Sequence, residues 1–250
     1  MTALAYSADN GFYGLGYGYG GIFFDPTYLL VIIGLIITLI ASANVKSTFA
    51  KYDKVISARR LTGAEAARRI LDANGLQSVR VERVAGNLTD HFSPNEGVIR
   101  LSDATYSSSS IAAIGVAAHE CGHAVQHQVG YAPIKFRNAL VPVVNICSRL
   151  SIPIILIGII LGMTGLGMVG VILFSAVLLF QIVTLPTETN ASKRALQTLE
   201  SMNMLYDDEL NGAKKVLSAA AMTYFAAVAS TALQLFRLLL LVRGSNRRND

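Results

Sequence analysis

No tryptophan occurs in this chain, charged residues make up only 15% of it, and its first 25 residues contain neither lysine nor arginine. Each shortage excludes something. Two cysteines, Cys121 and Cys147, cannot build a disulfide framework. A formal charge of +5 raises the question of nucleic acid, but there is no basic stripe with interleaved aromatics and no nucleic-acid motif of the usual kinds. A stretch without Lys or Arg that is rich in Gly and Tyr, as 1–25 is, does not read as a cleavable signal peptide. Low charge with 52% hydrophobic residues and a mean hydropathy of +0.47 argues against a soluble domain and for a lipid bilayer as the main solvent.

The hydrophobic residues occur in long blocks. The expected organisation is a Gly/Tyr-rich extracytoplasmic tail (1–25), a first membrane helix (26–43) and a polar catalytic region (44–138). A membrane helical hairpin (139–186), a second polar segment (187–215), a fourth helix that spans or packs within the membrane (216–242) and a basic tail (243–250) complete it. Arg149 lies in the hairpin; a charge there costs about 2–3 kcal/mol on insertion scales and should face protein, a polar cavity or the interface. Twelve Lys and Arg in 44–138 against none in 1–25 predict an extracytoplasmic N-terminus, with the catalytic region in the cytoplasm. The basic tail contradicts the same rule if the fourth helix spans, which leaves that helix open.

Within the polar region, Thr62 followed by Glu65 has the form of a capping box at the start of a helix that Gly75 ends. The alternating segments 79–84 and 97–101 predict short strands, read as a hairpin. A long helix follows from Ile111 to about Val129.

That last helix holds three of the four histidines within nine residues, in Ala118-His119-Glu120-Cys121-Gly122-His123-Ala124-Val125-Gln126-His127. Positions i and i+4 share a helical face, so His119 and His123 converge on one Zn²⁺ with Glu120 alongside. Zinc lowers the pKa of its water to about 7, and Glu120 takes the proton as general base and returns it to the leaving amine. Three fixed positions in five residues can also arise by chance; the clustering in an apolar helix favours the metal reading. A catalytic zinc needs a third protein ligand. His127 is tempting, but a continuous helix sets it roughly 12 Å from His119 along the axis. Glu188 is the better candidate, because the membrane hairpin returns it to the side of the His119 helix. Asn190 and Ser192 are candidates to orient ligands by hydrogen bonds. His127 is a further candidate for supporting the ligands or lining an interface, and His91 for stabilising an oxyanion or bordering the substrate cleft.

Several segments together resemble the YugP-like neutral zinc metallopeptidases of bacterial membranes: Phe24-Asp25-Pro26-Thr27-Tyr28, Leu61 to Glu65, Leu88-Thr89-Asp90-His91-Phe92, Gly115 to His127, Tyr131-Ala132-Pro133 and Leu185 to Leu196. The resemblance covers nearly all of the chain. It implies a predominantly α-helical multi-pass membrane protein with a gluzincin-type zinc peptidase core and a small β-hairpin or sheet, similar in plan to HtpX and the prenyl-protein (CAAX) peptidases. It also implies one catalytic Zn²⁺ on His119, His123 and Glu188, with Glu120 as the catalytic acid. Thr189 stands where an aromatic is expected and Cys121 where an aliphatic is common; neither is a ligand.

The leading expectation is therefore a zinc endopeptidase of the cell membrane acting on membrane or membrane-proximal polypeptides, with strand 97–101 offering an edge to an extended substrate. A membrane-complex partner or a homo-oligomer is compatible with the sequence. A site-2-type intramembrane protease lacks its aspartate-bearing partner motif here, and a transporter lacks intramembrane acidic pairs. A zinc-binding scaffold without turnover is the alternative from another class, and substitution of Glu120 separates the two.

Overall fold

The computed structural model describes residues 25–246, so the Gly/Tyr-rich tail and the end of the basic tail lie outside the described residues. In chain order the elements are α1 (Tyr28–Asp53), α2 (Gly63–Ala73), β1 (Arg80–Val84), β2 (His91–Ser93), β3 (Val98–Ser102), α3 (Asp103–Tyr106), α4 (Ile111–Gln128), α5 (Ala132–Ile160), α6 (Thr164–Ser201) and α7 (Asp207–Asn246). The molecule is predominantly helical. Among the described residues four helices, α1, α5, α6 and α7, are long and apolar enough to cross a membrane, and their most apolar windows are only 11–22% buried. Leu29, Ile32, Leu35, Ile36, Leu39 and Ile40 of α1 are all exposed. An apolar surface of that extent is untenable in water and suits hydrocarbon.

Each apolar block continues beyond its expected limits. α1 runs ten residues past Ala43, α6 passes unbroken through Pro186 to Ser201, and α7 begins well before Val216. Backbone i→i−4 hydrogen bonds continue a helix whatever its side chains face, so hydropathy marks the lipid-facing part and not the helix end. The turn of the α5–α6 hairpin falls at Leu161–Met163, with Gly162 at φ +66°, ahead of the expected Thr164–Gly167. Below it the helices nearly touch: a Cβ on Gly158 would lie 2.4 Å from the Gly167 nitrogen. Arg149 is exposed on α5, which removes the protein interior from the settings expected for it.

α1 and α7 pack antiparallel along most of their length, and three contacts set one register. Gly212 of α7 abuts the Tyr52 ring, Gly34 of α1 abuts Ser230, and the Arg237 guanidinium sits 4.2 Å from the centroid of the Tyr28 ring. Whatever α1 crosses, α7 crosses in the opposite sense.

On the end of this bundle where α1 finishes sits a layer made of α2, α4 and a three-stranded sheet of order β1-β3-β2. The capping box of α2 is formed, with Thr62 N–H donating to Glu65 Oε2 at 2.9 Å and Glu65 N–H to Thr62 Oγ1 at 3.2 Å. The expected hairpin of 79–84 with 97–101 is corrected: β1 and β3 are parallel, and the antiparallel partner of β3 is β2. Burial explains it. Val98, Ile99 and Leu101 of β3 are wholly buried and need neighbours on both sides, whereas β1 and β2 contain no buried residue, as suits edges. The strand 97–101 is thus central and cannot offer the free edge expected of it. Asp90 fastens the sheet by accepting hydrogen bonds from the Ser102 N–H and hydroxyl. The main core lies between α2, α4, β3, the end of α6 and the start of α7 (Ile70, Leu71, Ile99, Leu101, Ile114, Leu199).

Candidate metal centre

α4 starts at Ser110, whose Oγ accepts the Ala113 N–H and donates to Asp53 at the end of α1. The helix is rich in Ala and Gly because it is enclosed on nearly every side. His119 and His123 stand one turn apart with ring centroids 4.7 Å apart and planes nearly perpendicular, at 83°. Cys121 points the other way, into the core against α2, and burial pushes its thiol far above its ordinary pKa. It is therefore an unreactive packing group.

The third group arrives on α6. At Gly122 a Cβ would lie 2.6 Å from the Ala191 carbonyl oxygen, so the two helices cross at backbone contact. One turn before Ala191, Glu188 meets the imidazoles: its Oε2 is 3.4 Å from Nε2 of His119 and 3.4 Å from Nε2 of His123. One ligand atom from each of these three residues lies within 4.8 Å of the others. Glu188 is only 4% exposed, and among the described residues its Oε2 has no hydrogen-bond partner.

The opposite ring nitrogens are engaged. Gln126 Nε2 donates to the Thr187 carbonyl and to Asn190 Oδ1, which fixes Oε1 as the side of that amide facing Nδ1 of His123, 3.1 Å away. An amide oxygen only accepts, so Nδ1 carries the hydrogen and the neutral ring turns the lone pair of Nε2 toward Glu188. Ser192 Oγ lies 3.1 Å from Nδ1 of His119 and leaves Nε2 of that ring facing the same carboxylate. Arg194 holds Asn190 through its Oδ1. Lone pairs aimed at a buried, unpartnered carboxylate oxygen call for a cation, and two imidazoles with one carboxylate are the donor set of a catalytic zinc site. The residues present therefore fit a metal ion.

The electrostatics agree. Burial works against the imidazolium of His123, but Glu188, Glu120 and Gln126 outweigh it and raise its pKa above the ordinary value. A proton and a metal cation thus compete for the same nitrogen. Glu120 is 9% exposed and, among the described residues, makes no hydrogen bond. A buried carboxylate in that state is expensive unless it serves a ligand or water.

Of the remaining residues singled out in the sequence, His127 packs edge-on against Phe92 of β2, with ring centroids 6.0 Å apart. His91 is exposed, with Nδ1 2.8 Å from the Thr89 carbonyl. Neither belongs to the group of three. Two participants escaped sequence reading. Gln126 was legible as a polar residue three positions from His123, on the helical face that carries both histidines. Tyr224 of α7, whose phenol interacts electrostatically with Glu188 and Glu120, carried no local signal, since only the α7 packing brings it to the site.

A family model described as "Putative neutral zinc metallopeptidase" matches residues 27–243. Over 220 residues the chain is 46% identical to "Putative membrane protease YugP" of Bacillus subtilis (strain 168), covering 88% of this chain and 98% of that protein. No solved structure matches. With the match running from the start of α1 to near the end of α7, around a buried His, His and Glu cluster, the chain belongs to the neutral zinc metallopeptidase family.

Proposed function

We propose that this protein is a membrane-embedded, zinc-dependent endopeptidase of gluzincin type, with one ion held by His119, His123 and Glu188. The observation that carries the reading is the pair of Nε2 atoms, each 3.4 Å from one buried carboxylate oxygen, with the opposite ring nitrogens already engaged. When bound, zinc supplies a Lewis acid that polarises the scissile carbonyl and acidifies water. Glu120, next to His119 and without a hydrogen bond of its own, accepts a proton from the attacking water. As the C–N bond breaks, it returns that proton to the leaving amine, and the carboxylate is regenerated. Gln126 and Ser192 hold the imidazole tautomers throughout, and the Tyr224 phenol lies near Glu188.

Membrane or membrane-proximal polypeptides are the substrates this geometry supports. The α1–α7 register sets Tyr224 level with about Ile40, inside the apolar run of α1, so the cluster lies at the depth of the bilayer surface and not far out in water. The distribution of Lys and Arg supports a cytoplasmic catalytic face and an extracytoplasmic N-terminus.

The test is purified wild type beside Glu120→Gln, with metal measured by mass spectrometry and cleavage of an unfolded casein-like substrate followed with and without chelator. The expected result is about one zinc per chain in both and cleavage by wild type alone. Zinc in both with equal cleavage, or no zinc in either, overturns the reading. Zinc in both with cleavage by neither, on membrane-protein substrates as well, would establish the scaffold alternative.

A further inference from the structure

Away from the metal centre, where α1 leaves its apolar run and α7 enters its own, the two helices line an open cavity of about 410 Å³. Three lysines line it, Lys51, Lys214 and Lys215, together with uncharged hydrogen-bonding side chains such as Asn44, Thr48 and Asn211; no carboxylate does. Among the described residues none of the three lysines makes an ion pair. The acids nearest in sequence are engaged elsewhere: Asp53 accepts from Ser110, and Glu209 accepts the N–H groups of Ala58 and Tyr206. All three lysines are exposed, and Lys51 also lies over the Tyr52 ring, so their mutual repulsion in water is small, but together they make a positive recess without a counter-charge that attracts an anion.

We propose that this cavity binds the phosphate headgroup of an anionic phospholipid. Depth is the first reason. Lys51 lies two turns beyond Ala43, and Lys214 and Lys215 directly precede the apolar run that opens at Val216, which is the level of lipid phosphates if α1 and α7 cross the bilayer. The second reason is the wall on the bilayer side, where Ala219 and the exposed Met222 line the same cavity. A soluble phosphate has no use for an apolar side; an acyl chain leaving its headgroup does. The third is that lysine at this level reaches the interface with its methylenes along apolar surface, so the cavity holds its charge without desolvating it. The proposal rests on the membrane placement above and is independent of the peptidase chemistry.

The experiment places the full chain in nanodiscs of mixed phosphatidylglycerol and phosphatidylcholine, then releases it gently and counts retained lipids by native mass spectrometry. Wild type is compared with Lys51→Gln/Lys214→Gln/Lys215→Gln and with Lys46→Gln/Lys54→Gln/Lys135→Gln, which removes equal charge from lysines outside the cavity. Wild type and the control should retain about one phosphatidylglycerol per chain, with a preference of at least about tenfold over phosphatidylcholine, and the cavity variant should lose it. The melting temperature of wild type, measured with each lipid alone, reads the same preference without any variant and should be higher in phosphatidylglycerol. Equal loss in both variants, or no preference in wild type, overturns the site. Displacement of the lipid by soluble glycerol phosphate at equal concentration overturns the lipid as occupant. A chain that does not enter the disc overturns the membrane placement itself, whereas one that enters without lipid preference overturns only this cavity.

Discussion

Gln126 joins three parts of the centre through one amide: the Nδ1 side of His123, the Thr187 carbonyl and Asn190. It is wholly buried, so each of these bonds is made in the absence of competing water. Replacing it with Leu keeps the volume and removes the tautomer lock. Metal affinity should fall about 10–100-fold, as it does when outer-shell partners of ligating histidines are lost, and chelator competition would measure it. An unchanged affinity would mean that His123 needs no such support. Glu120→Gln acts on a different quantity: the general base should account for about 10²–10⁴ in kcat, with metal content unaffected.

Elements meet here through small residues and closed helix ends. Gly122 permits the backbone contact with Ala191 that carries Glu188 to the histidines, and a methyl group there has nowhere to go. Gly122→Ala should cost about 1–3 kcal/mol of stability by overpacking and lower metal occupancy as well, whereas Gly165→Ala, with nothing within 4 Å, should do neither. Thermal unfolding with metal analysis separates the two. At the start of α2, the Thr62 N–H, followed by the Thr62 hydroxyl, holds the Glu65 carboxyl below its ordinary pKa. A depressed folded-state value means that this contribution is complete above the ordinary carboxylate range and is lost as pH falls through the lowered one. Thr62→Ala should cost about 1 kcal/mol at neutral pH, while the stability gap between wild type and Glu65→Ala should close on acidification.

At the scale of the whole molecule, the antiparallel pairing of α1 with α7 sets the relative direction of the two helices. Tyr28 and Arg237 lie together at one end of the bundle, and the sheet, α2 and α4 lie at the other. If α1, the α5–α6 hairpin and α7 all cross, the number of crossings is even and the C-terminal end of α7 returns to the side on which α1 begins. Reporter tags fused before α1 and after α7 should therefore be equally accessible to protease in sealed vesicles. Opposite protection of the two would rule out this arrangement. The result also bears on charge, because it puts Arg243 on the side the positive-inside rule disfavours, next to a pairing held by Arg237, Tyr28 and Asp25.

The sequence by itself determined what is local or compositional. The long apolar blocks dictate lipid-facing helices, the Thr62 and Glu65 spacing dictates a capped start, and an i, i+4 pair of histidines dictates a shared helical face, since each depends only on backbone geometry and the identity of near neighbours. Tertiary structure alone decided the rest. That Glu188 reaches His119 depends on the Gly122 and Ala191 crossing, between residues distant in the chain. That β3 is central and parallel to β1 depends on which strand the core can bury on both sides. Tyr224 at the metal centre and Lys51 facing Lys214 and Lys215 depend on the register of two helices whose lipid-facing surfaces are too uniformly apolar to specify it, so that only close contacts such as Gly34 with Ser230 could.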